Sequence, residues 1–232
     1  MREIVLDTET TGLDPNEGHR VVEIGAVELR NTLRTGGEFH VYINPERPMP
    51  AEAERIHGLG DAFLRNKPVF AAVVDKFLAF IGEAPLVIHN AAFDMKMLNA
   101  ELIRLGRPPL PMARAVDTVE IARRKFPGAQ ANLDALCKRF GVDNGARTKH
   151  GALLDSELLA DVYLELMGGR QQGLSLDAAA GLPGHHAAAG AARQAARARP
   201  RPLAGRITEG EATAHAGFVE GMGEAALWRR WS

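Results

Sequence analysis

Cysteine is nearly absent from this 232-residue chain: Cys137, in LDALCKRFG, is the only one. One cysteine excludes an internal disulfide and a cysteine-ligated zinc cluster, and it suits a reducing compartment. Its helical setting reads as that of a small buried hydrophobe. Long apolar runs are also lacking; nothing approaches the roughly 20 residues of a membrane span. The opening MREIVLDTET runs straight into strand-like sequence, so no signal peptide is expected and a cytoplasmic location is. An excess of charge of one sign is missing too, with 28 basic and 29 acidic side chains. From Gln171 onward there are seven arginines and five acids, which leaves 21 basic and 24 acidic groups, a net of −3, in residues 1–170. Such a domain does not hold nucleic acid by surface charge. If it handles phosphate, bound cations must neutralise it.

What is present reads as strands, then strands alternating with helices. Residues 3–8 (EIVLDT) form a buried strand. Residues 21–29 (VVEIGAVEL) and 38–44 (EFHVYIN) alternate or are β-rich, with Gly36 and Gly37 before the second, and read as strands joined by a turn at those glycines. Residues 68–82 repeat apolar positions at helical spacing, with Pro68 near the start. Residues 86–90 (LVIHN) read as a short buried strand, and 93–106 as a helix closed by Gly106. Residues 113–126 run a short strand into a helix, with Asp117 placed as its N-cap rather than as a catalytic acid. Residues 132–141 are a helix capped by Asn132 and stopped by Gly141, and 152–169 are the last strong helix. This order defines an α/β domain with a mixed sheet. His57, in PAEAERIHGL, reads as a loop residue.

Acids sit where these elements end. Asp7 and Glu9, two apart on a strand, point to the same side. An acid at a strand end commonly caps a turn, so this pair alone decides little. IHNAAFD (88–94) again runs a buried strand into a turn and brings Asp94 to the first turn of a helix; HGALLD (150–155) brings Asp155 to another. In an α/β sheet such ends converge at one edge. Carboxylates gathered there require cations, and oxygen ligands suit Mg²⁺ or Mn²⁺. Two metals about 4 Å apart form a clamp for in-line attack at phosphate. His150 lies five residues before Asp155 and would diverge from it on a helix. It therefore belongs to the preceding loop, where it is either a surface histidine or a general base.

DTETTG (7–12), HNAAFD (89–94) and HGALLD (150–155) resemble the three motifs of the DEDDh 3′→5′ exonucleases, and most closely those of the epsilon (proofreading) subunits of bacterial DNA polymerase III. EGHRVVEIGAVEL, FHVYINP, IHGL and NLDALCKRFGVDN extend the resemblance along most of residues 3–168. It implies an RNase H-like fold, with a mixed five-stranded sheet flanked by helices. It implies two divalent metal ions held by Asp7, Glu9, Asp94 and Asp155, with His150 as general base. Glu52 and His57 become substrate contacts. Thr10, Gly12, Leu13 and Phe93 are expected to hold the terminal nucleotide of a single-stranded DNA 3′ end.

After Gly169 the composition changes. Residues 178–208 contain no acid and are rich in Ala, Gly, Arg and Pro, the composition of a flexible linker. The expected domains are therefore an exonuclease domain at 1–169, a linker at 170–208 and a partner-binding segment at 209–232. Gln171, Leu174 and Leu176 are spaced like the clamp-binding peptide of the epsilon family, with Leu176 where an aromatic often stands. ALWRRWS resembles the end that docks on the polymerase alpha subunit, with Leu227, Trp228 and Trp231 as anchors. The resemblance leaves open whether a small theta-like third subunit binds as well. A free-standing exonuclease and a purely structural subunit are the competing readings. The long tail argues against the first, and the intact acids and histidine against the second.

Overall fold

Ile4, Val5 and Leu6 are consecutive and fully buried, which a strand achieves only when both faces are covered. The computed structural model, which describes residues 1–145, 149–169 and 207–222, places them in β1 (Arg2–Thr10) at the middle of a five-stranded sheet. β2 (Val21–Arg30) and β3 (Leu33–Tyr42) extend the sheet antiparallel on one side. β4 (Leu86–Ile88) and β5 (Ala115–Asp117) extend it parallel on the other, giving the order β3-β2-β1-β4-β5. The mixed sheet expected from the sequence is present.

Alternation on β1 divides the core. Ile4 and Leu6 face a cluster built on α3 (Phe70–Ile81) and α4 (Ala91–Arg104), including Phe77 and Leu98. Val5 faces the opposite cluster, built on α6 (Leu133–Phe140) and α7 (Ala152–Leu166), including Leu136, Leu159 and Cys137. Each large apolar side chain buried there contributes about 1.5–3 kcal/mol. Asp7 and Glu9 continue the Val5 series, so they face α7; Thr8 faces α4.

Capping places the helices. Asn132 accepts from the Ala135 N–H and Gly141 ends α6 in the left-handed region. Asp117 does more than the N-cap role read from the sequence. It accepts from Val119 N–H at the start of α5 (Thr118–Lys125) and also from Ala91 N–H at 3.0 Å, so one carboxylate caps two helices. The start of α4 needs it, because Asn90 supplies no side-chain cap.

Two expectations are corrected. The hairpin between β2 and β3 turns at Asn31–Thr32, both at positive φ, not at Gly36–Gly37. The glycines lie within β3, where the pairing slips between Val27 and Leu29 and Gly36 takes φ +86°; a bulge needs that freedom as much as a turn does. Residues 51–64 also hold two short helices, α1 (Ala51–His57) and α2 (Asp61–Leu64), so His57 ends a helix rather than sitting in a loop.

The contacts divide the chain into two units. The first, Met1–Leu176, contains the sheet; in the second, Asp177–Ser232, the described residues form α8 (Glu209–Gly221), opened by a capping box between Thr208 and Glu211. No helix among the described residues is long and apolar enough to cross a membrane.

Candidate active site

α7 can reach Asp7 and Glu9 because of Gly25. This glycine pairs with Asp7 across the β1–β2 ladder, and the first turn of α7 lies directly on it. A Cβ there would fall 2.2 Å from Leu153 N and 2.3 Å from Ala152 O. Ser156 Oγ donates to the Gly25 carbonyl at 2.9 Å and holds the contact. Asp155, in that same turn and buried, is thereby delivered to the acid-bearing face of β1. Gly151 is extended and caps α7, so His150 stands outside the helix, as its spacing required. From there His150 Nδ1 comes within 3.3 Å of Asp155 Oδ2. One ligand atom each from Glu9, His150 and Asp155 lie within 4.8 Å of one another.

Asp94 arrives from the other face. Its Oδ1 accepts from Thr8 N–H at 3.0 Å and from Thr8 Oγ1 at 2.7 Å. A cavity of about 310 Å³ has Asp7, Glu9, Asp94, Asp155 and His150 in its wall, with His89 and Asp134 beside them. No lysine or arginine is among the described residues lining it. Burial pushes the Asp94 pKa up to about 7, against the opposing Thr8 hydrogen bonds. A hard divalent cation fits this donor set of carboxylate oxygens with one imidazole, and it would relieve the convergence of negative charge.

The raised pKa has a measurable consequence without metal. A native carboxyl that keeps its proton to about pH 7, against 3.8 unfolded, stabilises the fold at low pH; that stability is lost as pH rises through about 7. His57 acts oppositely. Burial lowers its pKa below the usual 6.5, so its contribution is present above that pH and lost below it. Urea unfolding in EDTA should therefore show Asp94→Asn gaining stability on the wild type between pH 5 and pH 8. A difference independent of pH would contradict the raised pKa.

A second cavity, of about 430 Å³, adjoins the first and shares Thr8, Glu9 and Phe93 with it. It brings together Thr10, Gly12, Leu13, Glu52, His57 and Phe93, the six further substrate residues expected from the sequence. Leu13 is 78% exposed at the rim, and Phe93 and Ile56 add apolar surface. His57 is 6% exposed; its Nδ1 accepts from Leu59 N–H at 3.0 Å, which leaves the proton on Nε2, a buried atom that makes no hydrogen bond of good geometry although the Thr10 backbone lies near enough to favour its charged form. A buried donor so poorly satisfied is costly in the absence of a ligand. The Thr10–Leu13 loop is pinned from outside: Thr11 N–H donates to the Arg20 carbonyl and Arg20 N–H to Thr11 Oγ1, while the Arg20 guanidinium donates to both oxygens of buried Glu101, at 2.6 and 2.9 Å. Gly12 packs on the His19 ring, which a Cβ would meet at 2.3 Å.

The arrangement of acids and histidine is that of a metal-dependent phosphodiester hydrolase, and comparison with known proteins narrows it. A family model described as Exonuclease (RNase_T) matches residues 4–163. The chain belongs to this exonuclease family. Relatives include the DNA polymerase III subunit epsilon of Rickettsia conorii, 58% identical over 179 residues covering 76% of this chain and 78% of that one. The same subunit from Escherichia coli K12 is 49% identical over 177 residues, 73% of this chain and 72% of that one. Among solved structures, exonuclease X in complex with 5′ overhanging duplex DNA aligns with TM-score 0.55 and 25% identity, over 71% of this chain and 90% of its own. The nuclease domain of 3′hExo, a DEDDh family member bound to rAMP, aligns with TM-score 0.63 and 21% identity, over 72% of this chain and 91% of its own. The resemblance read from the three motifs and the expected RNase H-like exonuclease fold are borne out.

Within the exonuclease, two groups escaped the sequence reading. Thr8 anchors Asp94; strand alternation alone would have sent it to the α4 face. His89 lines the acid cavity, and its Nδ1 donates to Thr118 Oγ1 at 2.9 Å, since the Thr118 hydroxyl is spent on the Ile88 carbonyl. The tail residues Gln171, Leu174, Leu176, Leu227, Trp228 and Trp231 lie outside the described residues.

Proposed function

We propose that this chain is the proofreading 3′→5′ exonuclease subunit of a bacterial DNA polymerase III, removing mispaired 3′-terminal nucleotides. The convergence of four carboxylates and His150 on one cavity, beside a second of nucleotide size, carries this reading. Asp7, Glu9, Asp94 and Asp155 would hold two Mg²⁺ or Mn²⁺ ions, which would supply Lewis-acid charge at the attacked phosphate and the departing oxygen.

The protein groups do the rest. The terminal nucleotide enters the second cavity with its base against Leu13, Ile56 and Phe93, and the His57 Nε2–H finds its acceptor there. Apolar walls of this kind take any base by its face. Mismatch preference then follows from the lower cost of unpairing a mispaired end. His150, held by Asp155 through Nδ1, takes a proton from the attacking water at Nε2. The new P–O bond forms in line as the bond to the 3′ oxygen breaks. A nucleoside 5′-monophosphate leaves, and the shortened strand keeps a 3′ hydroxyl.

In the same reading, residues 1–169 are the catalytic domain, 170–208 the tether and 209–232 the polymerase-binding segment. Gln171, Leu174 and Leu176 contact the sliding clamp, and Leu227, Trp228 and Trp231 the alpha subunit. The complex works in the cytoplasm, with room in this reading for a small theta-like third subunit. Tethering raises the effective concentration of the nuclease at the primer end.

The test is digestion of a 5′-labelled single-stranded DNA by the full chain. With Mg²⁺ or Mn²⁺ the label should shorten stepwise from the 3′ end; with EDTA it should not. His150→Ala should slow the reaction about 10²- to 10⁴-fold. Internal cleavage, or no cleavage with any divalent ion, would refute the reading.

A further inference from the structure

The two cavities are joined by a segment the motifs do not explain. His150 lines the acid cavity, while Ile56 and His57 of α1 line the nucleotide cavity. The His150 N–H donates to the Ile56 carbonyl at 3.3 Å, so the residue with the general base is fastened to the nucleotide-binding helix. The Lys149 side chain lies against Gly58, the residue that caps that helix. Gly58, at φ +80°, closes α1, and a Cβ on it would fall 2.8 Å from Lys149 Cδ and 2.9 Å from Nζ. The lysine stem therefore occupies the space that a side chain at 58 would take.

We propose that Lys149 is a positioning residue for the exonuclease reaction: its hydrocarbon stem, seated on Gly58, keeps the Lys149–His150 segment on α1 and so keeps the His150 ring at Asp155 and Glu9. This rests on the reading of His150 as general base. Cδ and Nζ lie almost equally near the Cβ position of Gly58, and the positioning is assigned to the stem because it packs there whether or not its end is charged. The ammonium lies at the C-terminal end of α1, where a cation is favoured. Its charge also reaches His57, adding to the lowering of that imidazole's pKa by burial. The nucleotide and the base thus share one support. A nucleotide seated against Ile56 and His57 braces the same helix end that holds His150, and a loosened segment costs turnover rather than binding.

The experiment is steady-state digestion of a 5′-labelled single-stranded oligonucleotide by the full chain with Mg²⁺, for wild type, Lys149→Ala, Lys149→Met and Gly58→Ala, with His150→Ala alongside. Lys149→Ala is expected to lower kcat about 10- to 100-fold, with KM within about twofold. Lys149→Met, which keeps the stem and loses the charge, should retain most of kcat. Gly58→Ala displaces the stem and also strains a backbone at φ +80°, so it should lower kcat at least as far as Lys149→Ala does. Combining it with Lys149→Ala should cost little beyond the worse single change, because both remove one contact. Thermal melting checks that each variant is folded.

An unchanged kcat in Lys149→Ala would overturn the proposal. So would equal losses in Lys149→Ala and Lys149→Met with raised KM and a shallower salt dependence, since these mark a direct phosphate contact. Failure of the underlying reading is seen separately: His150→Ala would then turn over like wild type.

Discussion

Asp155→Asn is expected to fold, to be at least as stable as the wild type in EDTA, and to lose activity by about 10³-fold or more. The two effects have one cause. Asp155 is buried in the first turn of α7, against the face of β1 that carries Asp7 and Glu9. Glu9, His150 and Asp155 bring their ligand atoms within 4.8 Å of one another. Removing one negative charge from that group lessens repulsion in the metal-free protein. It also removes an oxygen charge that a divalent cation bound there would need, worth several kcal/mol in the transition state, and each 1.36 kcal/mol is tenfold in rate. Asparagine keeps the shape, so packing changes little. Melting curves with EDTA and with Mg²⁺, beside the digestion assay, read both. The wild type should gain melting temperature on adding Mg²⁺, and the variant should gain much less. A variant that melted far below wild type in EDTA would mean that Asp155 is a structural residue. Sites of this kind trade stability for function.

Gly25→Ala should be the most damaging glycine-to-alanine change among the described residues. Its Cβ would stand 2.2 Å from the backbone of α7, and backbone cannot rotate away as a side-chain end can. The first turn of α7 must lift, breaking the 2.9 Å bond from Ser156 Oγ to the Gly25 carbonyl and moving Asp155 off Asp7 and Glu9. The expected cost is about 3 kcal/mol or more, at the upper end for an overpacked site. Urea unfolding measures it. The fraction that remains folded should still be nearly inactive, because a shift of about 1 Å in a catalytic group can cost 10²-fold. Gly36→Ala provides the contrast. Nothing lies near its Cβ, so only the strain of its φ of +86° is felt, and activity should persist.

Local chemistry was legible wherever one residue type serves one purpose. Asn132 and Gly141 bound α6 as their types require, Asp117 caps α5, and Cys137 is a buried apolar residue. Two acids two apart on a strand had to share a face, and His150 had to leave the helix of Asp155. Those constraints act within a few residues, so sequence alone determined them, together with the family that the three acidic motifs mark. The hairpin at Asn31–Thr32 was misread because glycine serves a bulge as well as a turn. The helix ending at His57 was missed because a seven-residue helix, Ala51–His57, is too short for its pattern to stand out.

Tertiary structure alone decided the rest. That β1 is central, that α7 lies on Gly25, that Thr8 holds Asp94 from 86 residues away, and that Asp117 caps a second helix are facts about elements far apart in the chain. They depend on which faces can be buried together and how closely two backbones can approach, and no local pattern carries that information.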